Sequence, residues 1–85
     1  MPITILYFAA LREALGTGRE TVELPEGVAN AGQLRSWLRE RGGAWSEAFA
    51  ENRSIRVAVD QAMARPDTPV RAGAEVAFFP PVTGG

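Results

Sequence analysis

Apolar side chains recur along this 85-residue chain with distinct periods, and their order predicts the fold. Residues 3–8 and 75–79 are β-branched, aromatic or otherwise apolar at nearly every position, which is typical of strands covered on both faces. Residues 19–24 and 55–59 alternate apolar with polar side chains, which predicts strands with one buried face. The side chains predicted to point inward from these two strands are Val22, Leu24, Ile55, Val57 and Val59.

Helical spacing appears in the middle of the chain. Asn30 and Gln33 have the residue types and the separation of a capping box, so a helix is expected to begin directly after Asn30. Its apolar stripe consists of Ala31, Leu34, Trp37 and Leu38. Gly42 and Gly43 are expected to terminate it. The charged residues expected on its solvated side are Arg35, Arg39, Glu40 and Arg41.

Three shorter elements complete the pattern. Residues 9–15 favour a short helix that stops at Gly16, and residues 62–64 favour a short strand after a turn. Trp45 and Phe49 follow the main helix on a turn or a short helix. Their expected role is to close one end of the core.

The first and last strands have the most apolar sequences, and this determines the expected topology. Placing them side by side and parallel at the centre of a mixed sheet, with the main helix across one face, buries both runs at once. The result is an α+β protein with a β-grasp fold. A split βαβ sandwich is the alternative, but it requires a second long helix that the pattern lacks. Proline cannot donate to a sheet ladder, so Pro80 and Pro81 should separate a domain at residues 1–79 from a flexible Gly-Gly tail at residues 80–85.

Composition excludes several classes of function. Nine arginines against ten carboxylates give a net charge of −1, which lacks the basic footprint of a nucleic-acid-binding protein. The chain contains neither Cys nor His, so thiolate metal sites, disulfides and cysteine nucleophiles are excluded, and no metal site is expected. No apolar run is long enough to span a bilayer or has the features of a secretory signal, so we expect a soluble, cytoplasmic protein without membrane contacts.

The chain ends on "FFPPVTGG", and this ending has two interpretations. Terminal residues are commonly frayed, and a terminal Gly-Gly pair alone is weak evidence for a function. Alternatively the tail is the functional part. Glycine lacks Cβ, so Gly84 and Gly85 suit a narrow channel, while Pro80 and Pro81 keep the base of the tail extended and reduce the entropy lost on docking.

Four segments together resemble a known family. They are "ILYFAALREALG", "VAVDQA", "VRAGAEV" and "AFFPPVTGG", and the similarity covers essentially the whole chain. The family is that of the small, sulfur-carrying subunits of molybdopterin synthase, which are ubiquitin-like β-grasp proteins. Ala74 and Asp60 depart from residues common in the family, where Asp and Asn are frequent. Both positions lie in turns, so they affect turn geometry rather than function.

The resemblance implies a reaction at the chain's end. The carboxylate of Gly85 would be adenylated with ATP by an enzyme resembling ubiquitin-activating enzymes and then converted to a thiocarboxylate by a sulfur donor protein. The tail residues Val82, Thr83 and Gly84 would enter the active site of the large catalytic subunit, where the sulfur passes to cyclic pyranopterin monophosphate. The chain itself would be a non-catalytic member of a hetero-oligomer and would bind no cofactor.

A tail of this kind requires a docking surface. If Ile3, Ile5 and Tyr7 face the main helix, the alternate residues Leu6 and Phe8 point to the other face of the sheet. Phe79 points there too if Val76 and Phe78 point inward, which leaves an apolar patch on that face. Phe8, Met63 and Phe79 match positions at which the family packs against its partners, and Arg12 is a candidate at the rim. The alternative is that residues 9–15 cover these side chains within the domain.

Two other functions remain open. The first is a sulfur carrier of the same fold for another pathway, such as thiamine synthesis or tRNA thiolation. The second is a ubiquitin-like binding module whose terminus is not reactive.

Overall fold

Residues 2–81 are described in the computed structural model, and within them the strands form one five-stranded mixed sheet. The strands are β1 (Pro2–Tyr7), β2 (Arg19–Glu23), β3 (Arg56–Val59), β4 (Ala62–Ala64) and β5 (Glu75–Phe79), and the helices are α1 (Ala9–Leu15), α2 (Ala31–Arg39) and α3 (Gly43–Ala48). The sheet order is β2-β1-β5-β3-β4, with β1 and β5 parallel and the other neighbours antiparallel. This confirms the predicted α+β β-grasp arrangement.

The core lies between the sheet and the helices. Ile3 and Ile5 from β1 and Val76 from β5 are fully buried, as are Leu34 and Leu38 from α2. The strand side chains predicted to point inward pack against this core while remaining partly exposed: Val22, Leu24, Ile55, Val57 and Val59. The hydrophobic effect therefore holds α2 across the two central strands, as the apolar stripe predicted.

One expectation about the central strands is wrong. Their nearly continuous apolar sequences predicted cover on both faces, but burial alternates along β1 and β5, and the second face is only partly shielded. The reason is the position of α1, which contacts α3 and places Leu11 in the core on the same side as α2. All the helices that the structure describes thus lie on one side of the sheet.

The main helix begins as predicted but ends earlier. Asn30 Oδ1 accepts a hydrogen bond from the Gln33 backbone N–H at 2.8 Å, while Gln33 Oε1 accepts from the N–H of Ala29 at 2.7 Å, one residue before the cap. The helix ends at Arg39. Gly42 and Gly43 start α3 instead, with φ of +79° and +56°, because the chain must reverse there to bring the next helix back to the core.

Aromatic rings close one end of the core. Phe49 is fully buried at the end of α3, and its ring meets that of Phe78 edge-on at a centroid distance of 5.2 Å. Tyr7 contacts Trp45 in the same way at 5.4 Å. These contacts confirm the structural role predicted for Trp45 and Phe49.

Two arginines expected on a solvated helix face are instead held by the fold. Arg35 donates hydrogen bonds to the backbone carbonyls of Phe49, Ala50 and Arg53, so it fastens the chain after α3 to α2. Arg41 lies over the rings of Trp37 and Trp45, at 4.8 and 4.4 Å from their centroids. Arg39 remains near the surface, where it pairs with the exposed Glu51 at 3.3 Å.

Arg41 also forms a two-pronged ion pair with Glu20 on β2. Its Nη1 and Nη2 donate to Glu20 Oε2 and Oε1 at 2.9 and 2.8 Å, and the Tyr7 hydroxyl donates to Oε2 at 2.8 Å. The hydrogen bonds from Arg41 lower the pKa of Glu20, although partial burial opposes them. Burial and the neighbouring Glu20 carboxylate raise the pKa of Tyr7, so its hydroxyl stays protonated. The hydrogen bonds among Tyr7, Glu20 and Arg41 thus connect β2 to the segment between α2 and α3.

We expect Glu20→Gln to lower the free energy of unfolding at pH 7 by about 1 to 2 kcal/mol, since charge-assisted hydrogen bonds are replaced by weaker ones. Because the folded-state pKa of Glu20 is lowered, its stabilisation is present above the ordinary glutamate pKa and is lost as pH falls through the lowered value. Urea unfolding between pH 7 and pH 3 should therefore show that the free energies of unfolding of the wild type and Glu20→Gln converge as the pH falls. Glu51→Gln is the control, since Glu51 is exposed, and equal pH dependence in all three proteins would contradict the prediction.

No helix among residues 2–81 is both long and apolar enough to cross a membrane.

Candidate functional site

The side of the sheet away from the helices forms a continuous surface, which we call the open face. Strand register arranges its side chains in three rows that cross both central strands, followed by the pair Pro2 and Glu23 on β1 and β2. The row nearest the end of β5 contains Phe8, Phe79 and Arg56; the middle row contains Arg19, Leu6, Ala77, Ala58 and Met63; and the third row contains Thr21, Thr4 and Glu75. The middle row crosses all five strands and is apolar except at its β2 edge.

Two of the predicted docking residues are the most exposed large apolar side chains of residues 2–81. Phe8 is 48% exposed and Met63 is 61% exposed, while Phe79 is partly buried. The Phe8 N–H donates to the Phe78 carbonyl at 3.1 Å, which continues the parallel pairing and places Phe8 beside Phe79. Met63 lies two strands away, beyond Ala77 and Ala58. The structure thus brings all three onto one face, although Met63 is not adjacent to the other two.

The alternative in which α1 covers these residues is wrong for Phe8. Helix α1 turns to the opposite side of the sheet and buries Leu11 there, so it leaves about half of the Phe8 side chain exposed. A contiguous apolar surface left open in this way commonly marks a site of protein contact.

Arg12 lies at the same end of the sheet. Its side chain runs along the backbone at Gly18, where a Cβ would come within 3.0 Å of Arg12 Nε. Gly18 precedes β2, so Arg12 borders the sheet where β1 ends and β2 begins. This position is consistent with a rim residue, and the contact role of Arg12 stays a prediction.

The structure describes the base of the predicted tail. Strand β5 ends at Phe79 as expected, and Pro80 follows it directly, partly buried against the crevice between α1 and α3. Pro81 is the last residue described. The predicted tail residues Val82, Thr83, Gly84 and Gly85 lie outside the described residues, so their roles stay predictions.

Sequence reasoning missed part of the open face. The prediction placed Leu6 on this face but did not include Ala58 and Ala77, two small residues on the strands between Leu6 and Met63. Leu6, Ala77 and Ala58 form a flat apolar strip that leads to Met63. The second set of apolar residues at alternate positions along β1 and β5 indicated this surface, because a strand that is apolar on both faces requires cover on both. Arg19 and Arg56 were not singled out either, since their places beside Leu6 and Phe79 depend on register.

A β-grasp domain with an open sheet face and a central strand leading to the C terminus belongs to the class of ubiquitin-like proteins. The comparisons identify the family within this class. The ThiS family model matches residues 5–85, and the chain belongs to that family.

Two bacterial proteins are similar to this chain over nearly their whole length. The molybdopterin synthase sulfur carrier subunit of Escherichia coli is 37% identical, with 98% of this chain and 99% of that protein covered. The protein of the same name from Haemophilus influenzae is 36% identical with the same coverage. Among solved structures, small archaeal modifier protein 1 of Haloferax volcanii has a TM-score of 0.76 and 28% identity, with 95% and 98% of the two chains covered.

Proposed function

We propose that this protein is the sulfur carrier subunit of a molybdopterin synthase. The observation that carries the proposal is the similarity to relatives of that name over 98% of this chain, together with a family match that runs through the "FFPPVTGG" ending to residue 85. The open face and the position of Pro80 support the proposal, because an exposed apolar surface lies near the residue from which the predicted tail would extend.

The proposed reaction begins at the Gly85 carboxylate. A carboxylate is a poor electrophile, so a ubiquitin-activating-like enzyme joins it to the AMP part of ATP and releases pyrophosphate. A persulfide sulfur of a donor protein then attacks the acyl carbon and displaces AMP, which gives an acyl disulfide. A thiol cleaves the S–S bond, so that the thiocarboxylate is released and the thiol is oxidised to a disulfide with the donor. The sulfur must come from another protein, since this chain has no Cys. The product resembles an activated thiolate, which needs no adjacent base to act as a nucleophile.

The second half of the proposal takes place in the large subunit. The open face docks on that subunit, and residues 82–85 extend into its active site. There the thiocarboxylate sulfur forms a bond to a side-chain carbon of cyclic pyranopterin monophosphate, and a carbon–oxygen bond at that carbon breaks. Hydrolysis of the acyl intermediate returns the Gly85 carboxylate and leaves the sulfur on the pterin. Two loaded carriers are used for each dithiolene. In this scheme the carrier contributes no acid, base or metal ligand, and catalysis belongs to its partner.

The test is reconstitution. The protein is incubated with its cognate activating enzyme, ATP and a sulfur donor, and intact mass spectrometry should show exchange of one oxygen for one sulfur. The loaded protein should then convert cyclic pyranopterin monophosphate to molybdopterin with the cognate large subunit. Loading without conversion would reject this pathway and favour a carrier for thiamine synthesis or tRNA thiolation. Failure to load would favour a non-reactive binding module.

The similarity to the Haloferax modifier favours a second candidate, in which the activated C terminus is transferred to a lysine amine of another protein. This chain has no Lys, so the acceptor lysine must belong to a different protein. Conjugates in native cells that disappear when Gly85 is deleted would support this candidate.

A further inference from the structure

The open face carries its charges in separate rows. Arg56 lies in the row of Phe8 and Phe79, beside the base of the tail, and Arg19 lies in the next row. Glu75 lies in the third row. Three rows along a strand span about 13 Å, which exceeds the screening length in physiological salt, so the two ends present distinct potentials to a partner.

These charges have no competing partners within the described part of the chain. Arg19 and Arg56 form no ion pair there, and neither does the Glu75 carboxylate. Asp60 adds a carboxylate at the Glu75 end, where its N–H donates to the Glu75 carbonyl and its Oδ1 accepts from the Glu75 N–H. The arginines are therefore available to a docked protein, and acidic groups concentrate at the opposite end of the face.

The apolar strip between the charged ends cannot fix the orientation of a partner. Ala58 and Ala77 are small, so the centre of the open face offers little relief, and hydrophobic attraction is not directional. A tail carrier must nevertheless dock in one register, because an offset of a single row would move the tail base by nearly 7 Å relative to the pocket. Charged groups at the two ends can supply this register.

We propose that the open face is an electrostatically polarised docking surface whose arginine end selects carboxylates around the mouth of the tail-accepting pocket, and whose Glu75 end selects basic groups farther away. This inference rests on the proposed function, since it takes the large subunit as the partner. It adds the chemistry that the large subunit must display and the order in which its charges are arranged.

Association kinetics with the cognate large subunit test the proposal. The double variant Arg19→Gln with Arg56→Gln should slow association about 3- to 10-fold at low salt, and Glu75→Gln should slow it about 2-fold, with both effects vanishing at high salt. A face that acted only through net charge would give opposite changes for arginine and glutamate removal. The polarised face requires that both the double arginine variant and Glu75→Gln associate more slowly than the wild type.

The control is Arg39→Gln with Arg71→Gln, which removes the same charge from the helix layer and from the turn before β5. It should change the rate less than 2-fold. Equal slowing by the two arginine pairs, or faster association of Glu75→Gln, would overturn the proposal while leaving the carrier function intact. Absence of any binding by the wild-type protein would overturn both. Circular dichroism checks folding, and the single variants replace any double variant that fails to fold.

Discussion

Deletion of Gly85 is expected to abolish loading of sulfur. The truncated chain would end at Gly84, so the reacting carboxylate would be withdrawn by one residue, or about 3.5 Å, from the position that the activating enzyme and the large subunit serve. Displacement of this size removes productive geometry in both partners. Neither the adenylate nor the thiocarboxylate should be detected by intact mass spectrometry, and molybdopterin formation should fall to background.

The truncated protein should otherwise behave as wild type. The core and the open face are formed by residues within 2–79, which the deletion leaves unchanged, so thermal unfolding and affinity for the large subunit should change little. Gly85→Ala is a useful companion, because it keeps the length and adds one Cβ beside the reacting carbonyl; it should load and transfer sulfur more slowly. Full activity of the truncated protein would refute a reactive C terminus, whereas loss of folding would show that the tail is structural.

The central topology could be predicted because two strands are apolar at nearly every position. Only the middle of the sheet, next to α2, buries enough surface for both β1 and β5, and the connection between them is long enough to permit the parallel pairing that is observed. The pattern did not indicate what covers the second face. The second apolar face of such a strand can be covered either by a helix of its own chain or by a partner protein. Here the helices leave that face open.

Arg35 and Arg41 show why local periodicity was insufficient. Helical spacing gives the direction in which a side chain leaves a helix, but it contains no information about which segment packs beside it, and Arg41 lies beyond the observed end of α2. The end of α3 supplies carbonyls to Arg35, and Trp45 supplies a ring to Arg41. Both contacts depend on the chain reversal at Gly42, which the sequence marked as the end of a helix.

The candidate site was predictable to the extent that it depends on motifs. The ending "FFPPVTGG" indicated a tail, and alternation placed Phe8 and Phe79 on the face opposite the core. The continuous strip and the separated charges were not predictable, since they require the register of all five strands. Register also explains why Met63 joins this surface from the far side of the sheet.

Combining Phe8→Ser with Met63→Ser should weaken binding of the large subunit about 10- to 150-fold. Full burial of such a side chain contributes about 1.5 to 3 kcal/mol, and these two are 48% and 61% exposed, so docking can bury about half of each. The combined loss is about 1.5 to 3 kcal/mol, which corresponds to that change in Kd. Calorimetric titration at high salt isolates this apolar contribution from the charges on the open face.

The same exposure implies that the double variant should fold normally, because little of either side chain contributes to the core of the free protein. Glu40→Ser with Glu47→Ser is the control, since both residues are exposed on the helix side. This control should bind as wild type. A Kd for the double variant within 2-fold of wild type, with unfolding unchanged, would show that the large subunit does not dock on the open face. The apolar sequences of β1 and β5 would then need another explanation.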